Sequence, residues 1–481
     1  MRRLLTCALP AMVAAGCMVG PDYQRPQVDT PQAFRFESTD TAAVADVEWW
    51  KQFGDATLDG LIAEALASNK DVQIAAANVE QAAGVLTTTR APLFPQIGYD
   101  GAGGKYRFSE NGTTDLATGI TNPTDVYQVL AGASWEIDLW GRVRRQTEAA
   151  RANMLSSEEA HRGVVLTLVA TVATSYLQLR GLDEQLAIAE RTQATYAESL
   201  RVMEIKFQYG RVSQMNVDQA RARYETASVQ VPRLRREIAI LENGLSALLG
   251  RSPGSIPRGR SISDIDVPQV PAGVPSQLLE RRPDILQAEQ RLVAANAQIG
   301  AAKAQYFPTI SLTGVLGSAS TDLSDLFTGP AGTWNYAGGF AGPIFAGGAI
   351  RGQVVQAEAA RKAALLSYQR AIQNAFADVD NALVTRSTLA DQVASQAKLV
   401  EALRGYESMA QMQYDVGRAP YSTVLQAQEQ LFPAELEWAA ARAQLCASLA
   451  GVYKAMGGGW VMRAEQMTTS AAADATATPS R

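Results

Sequence analysis

The chain has 481 residues, of which 47% are hydrophobic and 7% aromatic, and its formal net charge is -5. This length predicts several domains or an internal repeat, and an acidic balance without a basic cluster argues against nucleic acid as a partner. Three cysteines and one histidine form no metal-ligand, nucleophile or phosphate-loop pattern, so we predict neither an enzyme nor a metal site.

Residues 1–16 have the features of a lipoprotein signal peptide. Two arginines precede an apolar run that is too short to cross a bilayer as a helix. The run ends in Ala-Ala-Gly-Cys at 14–17, which resembles the lipobox of bacterial lipoproteins. There the signal is cut before the cysteine, whose thiol receives diacylglycerol, and acyl chains such as palmitate anchor the protein. We predict this lipid on Cys17 and no other cofactor, and Met18 after it is compatible with the outer membrane. The alternative is an ordinary secretory signal with an incidental cysteine.

The mature chain repeats itself once. Asp71 recurs as Asp284 and Pro95 as Pro308, both at an offset of 213, while further on Val217 recurs as Val424 at 207. The repeat predicts a first copy over 17–250 and a second over 277–460, joined by a Pro-rich linker over 251–276. The Ala, Thr and Ser content of 461–481 predicts a disordered tail.

Each copy contains two segments with the period-two alternation of strands, separated by a polar loop. The predicted strands are 96–108, 126–138, 309–317 and 334–345. Their lengths suit tilted transmembrane strands of roughly 9–11 residues, with a pair of soluble hairpins as the alternative. Four strands cannot close a transmembrane barrel, which needs about eight, and an open edge in lipid leaves backbone groups unpaired. Several chains would therefore share one barrel.

Very long helices follow the strands. No proline occurs between Pro123 and Pro232 or between Pro343 and Pro420, and an unbroken helix over 141–209 would be about 100 Å long. Steps of three and four between apolar residues, as in the second helix of the first copy, are typical of a coiled-coil seam. The sequence thus predicts a mainly α chain with a small β portion.

Motifs spread over nearly the whole mature chain resemble the TolC family of outer-membrane factors, in its lipoprotein branch with OprM and NodT. They are CMVGPDYQRP at 17–26, Trp50 with FGD at 53–55, DLWGR at 138–142, RRPDI at 281–285 and GPIFAGG at 342–348. Each motif is moderately specific, and their occurrence in this order is highly specific.

The resemblance implies a homotrimer whose four strands per chain form one twelve-stranded barrel, with the helices as a hollow periplasmic coiled-coil barrel and the linker in an equatorial belt. It implies a lipid-anchored outer-membrane protein with a long periplasmic extension. The implied function is the passive exit duct of a tripartite efflux system, fed by an inner-membrane resistance-nodulation-division pump through a periplasmic adaptor. A duct for type I protein secretion is the alternative, and a periplasmic coiled-coil scaffold without a channel is a more distant one.

The resemblance also implies roles for particular residues. Strand–helix junctions are expected where proline stops a helix and glycine allows a bend: Pro95, Trp140, Gly141, Pro308 and Gly347. The loops 109–125 and 318–333 would face the cell exterior.

The duplicated Gly-Arg pairs, Gly210 with Arg211 and Gly417 with Arg418, would form helix-hairpin tips that dock the adaptor. Ordinary hairpins with solvated arginines are the alternative.

Tyr414 matches a family tyrosine that ties the coils together near the closed end of the channel. Thr423 and Gln426 stand where TolC has two pore-facing aspartates, so that double carboxylate ring is absent. Asp415 and Asp218 are the carboxylates that remain as candidates for a gate ring.

Overall fold

The computed structural model of the chain describes residues 18–28, 34–35, 48–109, 121–265 and 278–458. The predicted signal peptide, Cys17, the middle of the first outer loop, the second half of the linker and the predicted tail lie outside the described residues. The chain divides into two compact units, and each unit combines segments of both repeats. Unit 1 consists of Met1–Gln27, Asn78–Ser157 and Ala288–Tyr368; unit 2 consists of Val28–Ala77, Glu158–Gln287 and Gln369–Arg481.

Most described residues are helical. The helices are α1 (Ala56–Ser68), α2 (Lys70–Arg90), α3 (Arg142–Gln208), α4 (Gln214–Leu248), α5 (Leu278–Arg281), α6 (Pro283–Ala304), α7 (Ala349–Asp415) and α8 (Tyr421–Ala455). The repeat is visible in their lengths, because α3 and α7 have 67 residues each and α4 and α8 have 35 each. Pro232 lies inside α4 and Pro433 inside α8, so these prolines do not end the helices, although each removes one backbone donor.

One helix of the described residues, α3, contains an 18-residue stretch apolar enough to cross a membrane. Of that stretch, 56% is buried within the structure. Val165, Val169, Val172 and Tyr176 of α3 belong to the main hydrophobic core of unit 2. Core helices of soluble regions pass the same test of length and composition, so we assign this stretch to the protein core.

The strands form one antiparallel sheet in unit 1, in the order β1 (Gln96–Tyr106), β2 (Thr124–Ile137), β3 (Thr309–Ser320) and β4 (Gly332–Ala341). The pairing of β2 with β3 joins the hairpins of the two repeats. In the described part of the chain β1 and β4 are the edges of the sheet. The register aligns Tyr99, Ala131, Leu316 and Trp334 in one row across the sheet. Because side chains alternate between faces, this row and those two residues away form a mainly apolar face.

The opposite face of the sheet is more polar or built from small residues. The adjacent row contains Asp100, Leu130, Gly317 and Thr333. Asp100 accepts a hydrogen bond from the side chain of Gln128 at 3.3 Å. The sheet thus has the two unlike faces that the alternation in the sequence predicts.

The strand ends of the first repeat differ from the prediction by one or two residues. β1 ends at Tyr106 rather than 108, because the Phe108 backbone bonds to the Asn122 side chain instead of continuing the ladder. β2 begins at Thr124 rather than 126, since Thr124 pairs with Tyr106. It ends at Ile137 because Asp138 turns its carboxylate to the start of α3.

In the second repeat β3 continues to Ser320 rather than 317, because its last residues pair with β2 as far as Tyr127. β4 covers Gly332–Ala341 rather than 334–345. It stops four residues early because Pro343 has no N–H with which to continue the ladder.

The first half of the linker is fixed to unit 2 through Asp55. This buried carboxylate caps α1 by accepting from the backbone N–H groups of Thr57 and Leu58. It also accepts from the Tyr176 hydroxyl at 2.8 Å and from the Arg260 backbone N–H at 3.0 Å. The Tyr176 hydroxyl in turn accepts from the Gly259 backbone N–H at 2.9 Å. The FGD motif thus joins α1, α3 and the linker.

Candidate functional site

The residues predicted at strand–helix junctions lie between the strands and the helices of unit 1. Pro95 and Pro308 directly precede β1 and β3. Gly141 directly precedes α3 with a φ of +77°, and Gly347 lies two residues before α7 with a φ of +57°. These are left-handed conformations that favour glycine, so the chain can change direction between sheet and helix at both places.

Trp140 connects the two repeats at this junction. Its indole N–H donates to the Pro308 carbonyl oxygen at 2.8 Å, and its ring stacks on Phe307 with centroids 4.5 Å apart. An aromatic pair of this kind contributes about 1 kcal/mol of stability beyond the contribution of its buried apolar area. The end of β2 and the start of β3 are therefore held in one fixed position.

Asp138 is a junction residue that our sequence reasoning did not single out. Its carboxylate accepts from the backbone N–H groups of Val143 and Arg144 at 3.0 and 2.9 Å, so it satisfies free donors in the first turn of α3. Glu136 pairs with Arg142 at 2.7 Å. An aspartate shortly before a helix is a recognisable start signal, and this signal was present in the DLWGR motif.

The two predicted tips are helix ends of the same type. At the end of α3, the Gly210 N–H donates to Phe207 and the Arg211 N–H to Lys206, both at 2.8 Å. Gly210 has a φ of +67°. This is a Schellman motif, in which two otherwise free carbonyl groups of the last turn are satisfied.

The end of α7 repeats the geometry. The Gly417 N–H donates to Tyr414 at 3.0 Å, the Arg418 N–H donates to Gln413 at 2.7 Å, and Gly417 has a φ of +74°. Arg211 and Arg418 are both exposed. The structure thus gives the two tips equivalent surfaces, each with an exposed arginine after the glycine.

A small hydrophobic core joins the two hairpins, α3–α4 and α7–α8, just behind the tips. Met203 and Val217 come from the first hairpin, and Ala410, Tyr421 and Val424 from the second. Tyr414 packs against this core and lies 5.2 Å from Tyr421, measured between ring centroids.

Tyr414 contacts a lysine that the sequence did not reveal. The Lys206 ammonium donates to the Tyr414 hydroxyl at 3.0 Å and lies 4.9 Å from the centroid of its ring. The two residues are 208 positions apart in the sequence, and no local pattern connects them. This contact ties α3 to α7 at the level of the tips.

The other gate candidates are not brought together within one chain. Asp415 and Asp218 are exposed, and each accepts a hydrogen bond from a glutamine one turn earlier on its own helix, at 2.9 and 3.0 Å. Thr423 is half-buried in the first turn of α8, and Gln426 is exposed.

Further from the tips, the hairpins share one exposed and one buried polar contact. Arg223 pairs with Glu429 at 2.7 Å, and the Tyr196 hydroxyl donates to the Gln428 carbonyl oxygen at 3.2 Å. Burial raises the pKa of Tyr196 to about 12. The hydroxyl therefore keeps its proton, and this donor, throughout the physiological pH range.

The described residues contain no group of three or more His, Cys, Asp or Glu side chains placed to hold a metal ion. Cys446 is fully buried in α8, and burial raises the pKa of its thiol to about 11. A thiol of this kind is inert, because the reactive form of cysteine is the thiolate.

The family model for outer membrane efflux proteins matches residues 61–251 and 274–458 of the chain. The chain belongs to the outer membrane efflux protein family. This protein is 35% identical over 481 residues to the probable efflux pump outer membrane protein TtgC of Pseudomonas putida, and the alignment covers 98% of this chain and 99% of TtgC. It is also 35% identical over 456 residues to the cation efflux system protein CusC of Escherichia coli, covering 94% of this chain and 97% of CusC.

Solved structures of the same kind share the fold. The Campylobacter jejuni CmeC outer membrane channel superposes with a TM-score of 0.88 at 25% identity, covering 94% of this chain and 98% of CmeC. The open state of the Neisseria gonorrhoeae MtrE outer membrane channel superposes with a TM-score of 0.84 at 30% identity, covering 92% of this chain and 99% of MtrE. The predicted family and the predicted fold class are confirmed.

This outer membrane efflux protein is therefore an outer-membrane component of an efflux pump, with a long periplasmic helical part. Its family is a family of channels and not of enzymes.

Proposed function

We propose that this protein is the passive exit duct of a tripartite efflux system and acts as a homotrimer. The observation that carries the proposal is the four-stranded sheet, which has one mainly apolar face and, among the described residues, two unpaired edges, β1 and β4. In lipid, unpaired edge groups cost several kcal/mol each. Three copies that pair β4 of one chain with β1 of the next form a closed barrel of twelve strands, which satisfies every edge.

The lipid anchor is part of the same proposal. Cys17 follows the Ala-Ala-Gly sequence of a lipobox, and its thiol would carry diacylglycerol and acyl chains such as palmitate. Two or more chains give stable attachment. Mass spectrometry of the purified protein tests this modification directly, and an unmodified cysteine or a different N-terminus overturns it.

The partners we propose are a periplasmic adaptor at the tips and an inner-membrane pump of the resistance-nodulation-division class. The support is the duplicated tip surface, in which Arg211 and Arg418 occupy equivalent exposed positions after Gly210 and Gly417. An adaptor that recognises both hairpins would thus find six similar tips around a trimer.

The Lys206–Tyr414 contact is our candidate for the latch of the closed state. It joins the two hairpins of one chain, so parting the hairpins at the tip breaks it. An adaptor opens the channel only if it binds the parted tips better than the joined ones. The Asp415 and Asp218 side chains would add to the gate only across the symmetry axis, since each bonds within its own helix.

We further propose that the pump rather than the duct selects the cargo. A toluene efflux protein and a cation efflux protein are both 35% identical to this chain, so similarity in the duct does not follow the chemistry of the cargo.

Reconstitution into planar bilayers tests the central proposal. A trimeric duct is expected to give discrete conductance steps and to migrate as three cross-linked copies. A protein that stays monomeric in mild detergent and gives no steps would be a scaffold, and the proposal would fail.

A further inference from the structure

The first described residues, 18–25, have no regular secondary structure and lie against α3 and α6 of unit 1, and we call this segment the N-terminal strap. The Val19 N–H donates to the Trp140 carbonyl oxygen at 3.1 Å. The Asn296 side chain donates to the Pro21 carbonyl oxygen at 2.9 Å. Further along, the Tyr23 hydroxyl donates to Glu289 at 3.1 Å. The strap is thus bonded through both its backbone and its side chains.

Arg145 is the centre of the surface that receives the strap. Its side chain is only 2% exposed, although it lies in the first turn of α3. Its guanidinium donates to the Val19 and Gly20 carbonyl oxygens at 3.3 Å, to the Asp22 carboxylate at 2.7 Å and to Glu148 at 2.8 Å. Three of its four partners belong to the strap. A buried charge needs such partners, and the strap supplies most of them.

Three glycines bring the backbones close enough for these bonds. A Cβ on Gly20 would lie 2.4 Å from the Gly300 Cα, and a Cβ on Gly141 would lie 2.4 Å from the Met18 Cγ. A Cβ on Gly300, which lies within α6, would come within 2.5 Å of the Val19 carbonyl oxygen and 2.8 Å of the Arg145 Cγ. The strap therefore lies in a groove whose shape admits no side chain at these points.

We infer that the groove formed by Gly141, Arg145, Asn296 and Gly300 is a binding site for the protein's own N-terminal strap, with Arg145 as its positioning residue. The strap begins at Met18, next to Cys17, and it docks beside Trp140 and Gly141, where β2 passes into α3. Docking thus holds Met18, the residue that follows the proposed acylation site, at the strand–helix junction, and we infer that this limits how far the proposed lipid can move from the barrel. This role rests on the proposed acylation of Cys17 and on the proposed membrane span of the strands.

Gly300→Ala is the most direct test. Alanine favours a helix more than glycine does, so the substitution should not weaken α6. Its Cβ, however, would displace the strap. Gly84→Ala in α2 is the matched control, since a Cβ there meets nothing within 4 Å. Gln24 is exposed, and Gln24→Cys supplies a thiol for a nitroxide label. Cys446 does not compete for the label because it is fully buried.

The full-length acylated protein carrying this label is compared by electron paramagnetic resonance with and without Gly300→Ala. We expect the rotational correlation time of the label to fall several-fold in Gly300→Ala and to stay unchanged in Gly84→Ala. Arg145→Met is expected to release the strap in the same way, while Arg142→Met, whose arginine pairs with Glu136, leaves it docked. A label equally immobile in Gly300→Ala and Arg145→Met overturns the binding site.

The positioning role has its own readout. The fraction of outer-membrane protein that resists SDS as an oligomer is expected to fall several-fold in Gly300→Ala and Arg145→Met but not in their controls. Unchanged assembly with a mobile strap would overturn the positioning role. The mass of the Cys17 lipid and the conductance of the parent protein are measured in the same samples. A missing lipid or missing conductance would count against the proposed function, whereas the spectrum alone decides whether the groove binds the strap.

Discussion

Removing the Lys206 ammonium tests whether the contact between α3 and α7 holds the channel closed. Lys206→Met keeps a long side chain of similar shape and removes the charge that contacts Tyr414. We expect the closed state to lose stability relative to the open one, because the hydrogen bond and the ring contact join hairpins that must part at the tip.

The size of the effect follows from the geometry. A hydrogen bond to a charged group contributes about 1.5–3 kcal/mol when buried, and we take about 1 kcal/mol because Lys206 and Tyr414 are half-buried. The ammonium 4.9 Å from the ring centroid adds about 0.5–1 kcal/mol. The loss is then about 1.5–2 kcal/mol per chain, or about 5 kcal/mol if three latches break together. At 1.4 kcal/mol per tenfold change, about 5 kcal/mol raises the ratio of open to closed channels about four-thousandfold.

Single-channel recording in planar bilayers measures this ratio as the open fraction. Tyr414→Phe separates the two contributions, since it removes the hydroxyl but keeps the ring, and about 1 kcal/mol per chain predicts a change of about a hundredfold. Lys398→Met, at an exposed position of α7, is the matched control and should leave the recording unchanged. An open fraction in Lys206→Met no higher than in this control would refute the latch.

Three further predictions concern stability. Tyr176→Phe removes a buried hydroxyl that bonds both Asp55 and the linker at Gly259. We expect a loss of about 2 kcal/mol in the free energy of unfolding, seen as a lower urea midpoint and faster proteolysis of the linker. Unchanged proteolysis would contradict the role of these bonds in fixing the linker. In Gly417→Ala, the alanine must adopt a φ of +74°, although its Cβ meets nothing within 4 Å. Only the backbone strain of about 1–2 kcal/mol should therefore reduce stability. Gly417→Asn should lose less stability in the same urea titration. Burial raises the pKa of Cys446 to about 11. Between the ordinary thiol pKa and pH 11, the unfolded chain therefore binds fewer protons than the folded chain. The free energy of unfolding should fall with rising pH in this range, by up to about 1.4 kcal/mol per pH unit. The urea midpoint of Cys446→Ala should fall less over that range, and parallel pH profiles would disprove this linkage.

The sequence predicts the long helices well because their limits are local. Glycine and proline mark where α3 and α7 begin and end, and the helix predicted over 141–209 is observed as Arg142–Gln208. Strand faces were predictable for a similar reason, since the alternation of apolar and polar residues lies within each strand segment. Strand ends were not, because they depend on partners in other strands, such as Thr124 opposite Tyr106, or on a side chain that interrupts the ladder.

The contacts that make the candidate site were less accessible to sequence reasoning. Lys206 and Tyr414 meet only because the two repeats fold against each other, and Arg145 acquires its partners from a segment more than a hundred residues earlier. A lysine near a helix end or an arginine in a first turn is ordinarily solvated. Only the tertiary structure distinguishes these two from the other cations of the chain.

The open edges of the sheet have a consequence for how such a channel is made. If three copies share one barrel as proposed, a lone chain cannot remain in the bilayer with β1 and β4 unpaired. Membrane insertion and assembly of the copies are then expected to occur together. The rate at which new channels appear should therefore rise more steeply than in proportion to the number of chains waiting in the periplasm. A cell that makes too few copies would accumulate unassembled chains in the periplasm and not incomplete barrels in its outer membrane.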